Sequence, residues 1–190
     1  MSWRTVGSIL AIIIGFIAGK FAYNALFGES EIASYEIHEW LNRSYIGVTF
    51  EAPFELSEAD LELPLVLKPY VKNMETYNYE SKAVALFLSK IEYNPDIPVD
   101  IDGAAEGAAA NMGANEDVTE FNYEVEKIEK NFIEGRRMTG GFKLNDKDTE
   151  FVAELYVQKS KLLQILITNL SYPENREVRD RILKSFKVTL

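Results

Sequence analysis

The first apolar stretch of the chain has no polar side. Residues 6–19 read VGSILAIIIGFIAG, without a charge. Extended to Phe27, the segment has 22 residues. As a helix it is about 33 Å long at 1.5 Å per residue, enough for a hydrocarbon core of about 30 Å. Val6, Ile9, Ile13 and Phe27 lie along it, and Trp3 and Lys20 stand where interfacial residues belong. No A-x-A-like cleavage site lies between Gly19 and Ala33. The pattern therefore predicts an uncleaved signal anchor over 1–27 rather than a secretory leader. Arg4 precedes the span, whereas Glu29, Glu31, Glu36 and Glu39 follow it. The positive-inside rule puts the amino terminus in the cytoplasm and the rest of the chain outside it. Gly15 and Gly19 form a GxxxG pair, through which two copies can pack as a weak homodimer.

Residues 28–44 are polar and acidic. Ile37, Trp40 and Leu41 fall at i, i+3 and i+4, which predicts a short amphipathic helix joining the anchor to the body. His38, the single histidine, sits within it as a linker residue.

Residues 45–190 are expected to form one α+β domain. Strand patterns occur over 45–50, 74–80 and 83–93, and the prolines at 64 and 69 break any long helix between the first two. Over 74–80, Met74, Thr76 and Asn78 alternate with Glu75, Tyr77 and Tyr79. An alanine-rich helix follows at 100–113, capped by Asp100 or Asp102. Residues 118–128 read as a strand with Phe121, Tyr123 and Val125 on one face; Ile128 breaks the alternation and suggests a bulge or strand end. Residues 136–144 and 151–158 are joined by the turn Asn145–Asp148. KLLQILITNL, from Lys161, is apolar on both faces and therefore central. A last helix opens at Pro173, with Val178, Ile182 and Phe186 at i+4 spacing. The sum is an antiparallel sheet with helices packed on its faces, an α/β/α sandwich preceded by one transmembrane helix.

Composition narrows the chemistry. The chain of 190 residues has no Cys and one His. This excludes thiol catalysis, Cys-ligated metals and multi-His metal sites, and no cofactor is expected. No GxGxxG, P-loop, G-x-S-x-G or S-x-x-K motif is present. The net charge of −10 argues against nucleic acid as a partner. Residues 91–126 hold ten acids and no Lys or Arg, and so carry the whole excess. Asp96, Asp100, Asp102, Glu106, Glu116, Asp117 and Glu120 are the candidate acidic face for a basic partner. They do not follow EF-hand spacing, since Pro98 stands at a ligand position. Arg136 and Arg137 are expected on opposite faces of a strand, in exposed ion pairs. Tyr77, Tyr79, Tyr93 and Tyr123 are expected to serve mostly in packing, with a groove over 74–80 as the alternative.

The carboxy-terminal run TEFVAELYVQKSKLLQILITNLSYPENREVRDRILKSFKV has two long hairpin strands, a Pro-started helix and a terminal ILKSFKV. With the opening GVTFEAPFEL, it resembles the PsbP-like superfamily over Tyr45–Val188. The superfamily includes the extrinsic PsbP protein of photosystem II and a Ran-binding nuclear import factor. The resemblance implies an antiparallel sheet sandwiched by helices and an accessory or adaptor role more readily than catalysis. No catalytic residue carries over from it. The expected function is a membrane-anchored, non-catalytic protein presenting a surface to another envelope protein. The alternative is a small-ligand or lipid-binding module using a cleft between sheet and helices.

Overall fold

The structure is a computed structural model that describes residues 39–190, except 60, 62, 64, 66, 82 and 83. The anchor expected at 1–27, with its Gly15–Gly19 pair, and His38 in the linker lie outside the described residues. Among those described, no helix is long and apolar enough to cross a membrane.

The described chain is an antiparallel α+β domain. A seven-stranded sheet has the order β3-β4-β5-β9-β8-β7-β6. Its strands are β3 (Ser57–Glu58), β4 (Val71–Glu80), β5 (Val84–Tyr93), β6 (Val118–Lys130), β7 (Ile133–Leu144), β8 (Lys147–Gln158) and β9 (Lys161–Leu170). A smaller three-stranded sheet joins β1 (Leu41–Tyr45), β2 (Val48–Ala52) and β10 (Lys187–Val188). The helices are α1 (Ile101–Gly113) and α2 (Pro173–Ser185).

The alternation of side chains splits the core into two layers. Phe87, Ile91, Met138, Phe151, Leu155, Leu162 and Leu166 point to one face and pack on Ala104, Ala105, Ala108, Ala109 and Met112 of α1. Leu86, Leu88, Tyr156, Leu163, Ile165 and Ile167 point to the other and pack on Ile182, Phe186 and the small sheet. Small alanines let α1 lie close on the sheet. Its amino end is capped by Asp100, whose carboxylate accepts from the Asp102 amide at 3.1 Å. β9 is the middle strand and buries both faces, as its unbroken apolar run predicts. α2 begins at Pro173 and is tied to the sheet by Arg176 and Arg179, which both donate to Glu150 on β8.

Three expectations need correction. β1 begins at Leu41, inside the segment expected to be a linking helix, because Tyr45–Val48 closes a hairpin through Ile46 and Gly47, both at positive φ. A Cβ on Gly47 would run into the Thr189 carbonyl, so this turn needs glycine. Ile128 does not end β6 or bulge it. It points to the second face, against the Ile182 layer, and the strand continues to Lys130. The irregularity lies between Thr119 and Asn122, where Glu120 takes φ 53°. Finally, Arg136 is not exposed: only 4% of its side chain is accessible, against α1.

Candidate binding edge

β6 ends the large sheet, and no described strand pairs with its outer side. Such edges attract other chains and are usually blunted. The Glu120 bulge places two residues opposite Phe142 and turns Phe121 back onto α1's side. Phe121 stacks on Phe151 with ring centroids 5.8 Å apart, and its ring stands against Gly113 at the end of α1. Further along the strand, Tyr123 and Val125 share that face. They remain 41% and 46% exposed.

The hairpin turn at the far end of β6 is Asn131–Phe132, between the paired Lys130 and Ile133. Both turn residues have positive φ, 52° and 63°. Asn tolerates this conformation, and its side chain donates to the Val188 carbonyl at 2.8 Å. Phe132 has no such compensation and is 96% exposed. A bulky residue in the left-handed region costs about 1–2 kcal/mol. The position would be filled most easily by glycine.

The edge is braced from behind. Glu154 on β8 is fully buried and accepts from Lys130 at 3.0 Å, Arg137 at 2.7 Å and the Tyr156 hydroxyl at 2.7 Å. Arg137 also holds Glu126 at 3.0 Å. Burial, together with the adjacent Glu154 charge, raises the Tyr156 pKa, so this phenol stays a donor. The network links β6, β7 and β8 through charge-assisted bonds in a dry setting.

The candidate acids separate into two groups. Asp100 caps α1, and Asp102 makes a two-bond contact to Arg136, at 2.5 and 3.1 Å, which holds its carboxyl below the usual range. Both serve the amino end of the helix, and Asp96 lies just before it. Glu106 is exposed midway along α1. Glu116, Asp117 and Glu120 lie past its carboxy end, about 20 Å away at the helical rise. That end has no basic residue in its last turn, so the negative pole of the helix adds to Glu116 and Asp117. Glu120 pairs with Lys143 at 2.6 Å. The acids of the candidate face beside the exposed apolar edge are therefore Glu116, Asp117 and Glu120, and Glu124 extends them along β6. Among the described residues, no group of three His, Asp or Glu side chains can hold a metal ion.

Alternation in the sequence finds Phe121, Tyr123 and Val125 on one face, but not the exposure of the last two, which depends on how α1 sits on the sheet. Phe132 gives no turn signal at all. Tyr77 and Tyr79 belong to packing: Tyr79 stacks on Phe54 at 3.7 Å, and Tyr77 meets Tyr45 at 5.2 Å.

No protein-family model and no curated protein matches the sequence. Solved structures do. Cyanobacterial PsbP from Synechocystis sp. PCC 6803 matches with a TM-score of 0.54 and 13% identity, over 85% of this chain and 99% of that one. LpqN of Mycobacterium tuberculosis, involved in cell envelope biogenesis, matches with a TM-score of 0.45 and 12% identity, over 86% of this chain and 100% of its own. The likeness to PsbP is one of fold: the described residues form an α+β domain with a PsbP-like fold.

Proposed function

We propose that this chain is a non-catalytic accessory protein, held to a membrane by residues 6–27, that docks through the β6 edge onto another envelope protein. One observation carries the reading. Among the described residues, six large apolar side chains are exposed, and three of them, Tyr123, Val125 and Phe132, lie on one edge strand and its turn. Tyr123 and Val125 lie together on one face of the strand, and Phe132 stands about 23 Å further along, in the turn that ends it; exposed apolar side chains on a rigid support are the usual anchors of a protein interface. The Glu154 network supplies the rigidity. Glu116, Asp117 and Glu124 supply an acidic rim, which fits a partner with basic residues around an apolar groove. The sign of the charges flanking residues 6–27 supports a domain outside the cytoplasm.

The test compares full-length wild type with Y123S/V125S/F132G. Both are solubilised from native membranes in mild detergent, and the co-purifying partner is quantified. The reading expects at least a tenfold loss of partner, about 1.4 kcal/mol, with thermal unfolding shifted by only a few degrees. Equal recovery of the partner by the triple variant contradicts it.

A further inference from the structure

On the α1 side of the large sheet, the helix lies over β6, β7 and β8. Toward the other edge, the layer is filled by Leu61, Leu63 and Leu67 from the β3–β4 connection. Beneath this part, strand register sets three polar side chains side by side. Thr76 on β4 is opposite Ser89 on β5, and Ser89 is opposite Gln164 on β9. Opposed residues share a face, so the three form a row. Their exposures are 4%, 0% and 3%.

Thr76 donates its hydroxyl to the Ala59 carbonyl. The Ser89 hydroxyl and both ends of the Gln164 carboxamide have no hydrogen-bond partner among the described residues. Thr168 and Tyr93 on the same face also carry unpartnered oxygens. Each unmet buried group of this kind costs about 1–3 kcal/mol. A sheet that needed only a core would place Val or Leu at 89 and 164, as it does at the flanking Phe87, Ile91, Leu162 and Leu166. Where the row reaches the sheet edge, a cavity of about 420 Å³ is lined by Glu58, Ala59, Leu61, Met74, Glu75 and Thr76.

We propose that Ser89 and Gln164 form the floor of a binding site for a small uncharged molecule bearing a hydrogen-bond donor beside an acceptor, as in a polyol or a primary amide, reached from the cavity at Thr76. The carboxamide offers one donor and one acceptor edge, and the hydroxyl serves as either. The row holds no ionisable group, so a buried ionic ligand would be uncompensated. Glu58 and Glu75 at the mouth repel anions. The site runs from the middle strand β9 across β5 toward β4 and β3, away from the docking edge β6, and is independent of it.

The test uses the full chain in mild detergent, with glycerol, acetamide and sodium acetate as probes, each at about 10 mM, and reads the melting temperature. Wild type should rise by about 2 °C or more with glycerol or acetamide and not with acetate. Q164L and S89A should lose the response. Q164L alone should melt at or above wild type, because it removes two orphaned atoms. If Q164L does not fold, S89A decides. No response to either neutral probe means that the row is occupied by ordered water only, and overturns the proposal. An equal response in wild type and S89A, or a matching rise with acetate, overturns it as well.

Discussion

Phe132 is the residue whose conformation and exposure most disagree with stability as an explanation. Its ring is almost wholly in solvent, on a backbone at φ 63°. Phe132→Gly is expected to raise stability by about 1 kcal/mol by relieving the left-handed strain. Chemical denaturation reads this directly; a fall in stability would make the ring structural. Glu150 is the opposite case, a residue explained by packing. Hydrogen bonds from Arg176, with further bonds from Ser171 and Arg179, pull its pKa down to about 2. The unfolded carboxyl titrates near 4.5. The folded state therefore gains from ionised Glu150 above that value, and loses the gain as pH falls toward 2. Glu150→Gln should cost about 2 kcal/mol at pH 7, and the difference from wild type should close between pH 5 and 2. A pH-independent difference would show that the ion pairs are not its source.

At the scale of elements, the hairpins show what the pattern of residues makes legible. β7 alternates, β9 is marked by its unbroken apolar run, and Asn145–Asp146 is a recognisable turn that the structure places at φ 48° and 63°. The turns at Ile46–Gly47 and Asn131–Phe132 have the same geometry but carry a large apolar residue, so neither declares itself. That is why β1 reads as helix and why the end of β6 reads as a break. The bulge at Glu120 is equally hidden: it depends on Phe121 finding Phe151 and Phe142, two strands of long-range packing. Gly140 supports this region by its lack of a side chain. A Cβ there would strike the Asn122 carbonyl and come within 2.8 Å of the Phe151 ring and 2.9 Å of the Tyr123 backbone. Gly140→Val is expected to lower stability by about 3 kcal/mol and to detach β6 first. Amide hydrogen exchange should show early loss of protection over 118–130; uniform loss across the sheet would contradict a local role.

For the whole molecule, the sequence carries the fold class and the excess of acid, but not the position of the acid in space. The ten acids of 91–126 look like one block in the chain. In the fold, Asp100 and Asp102 secure the start of α1, Glu92 pairs with Lys72, and Glu120 and Glu126 pair with bases on β7. What is left beside the apolar edge is Glu116, Asp117 and Glu124. E116K/D117K should therefore weaken docking several-fold at low salt and much less at high salt, with little change in stability. A loss of binding that does not vary with ionic strength would argue that charge does not steer the contact.

The docking claim is tested most directly by a photoreactive residue placed at Tyr123 in the full-length chain, with Glu177 on the exposed side of α2 as the control position. After irradiation in native membranes, position 123 should give one discrete crosslinked protein, lost when Phe132→Gly is added, and position 177 should give no such product. Crosslinking to the same proteins from both positions, or to none from position 123, would contradict it.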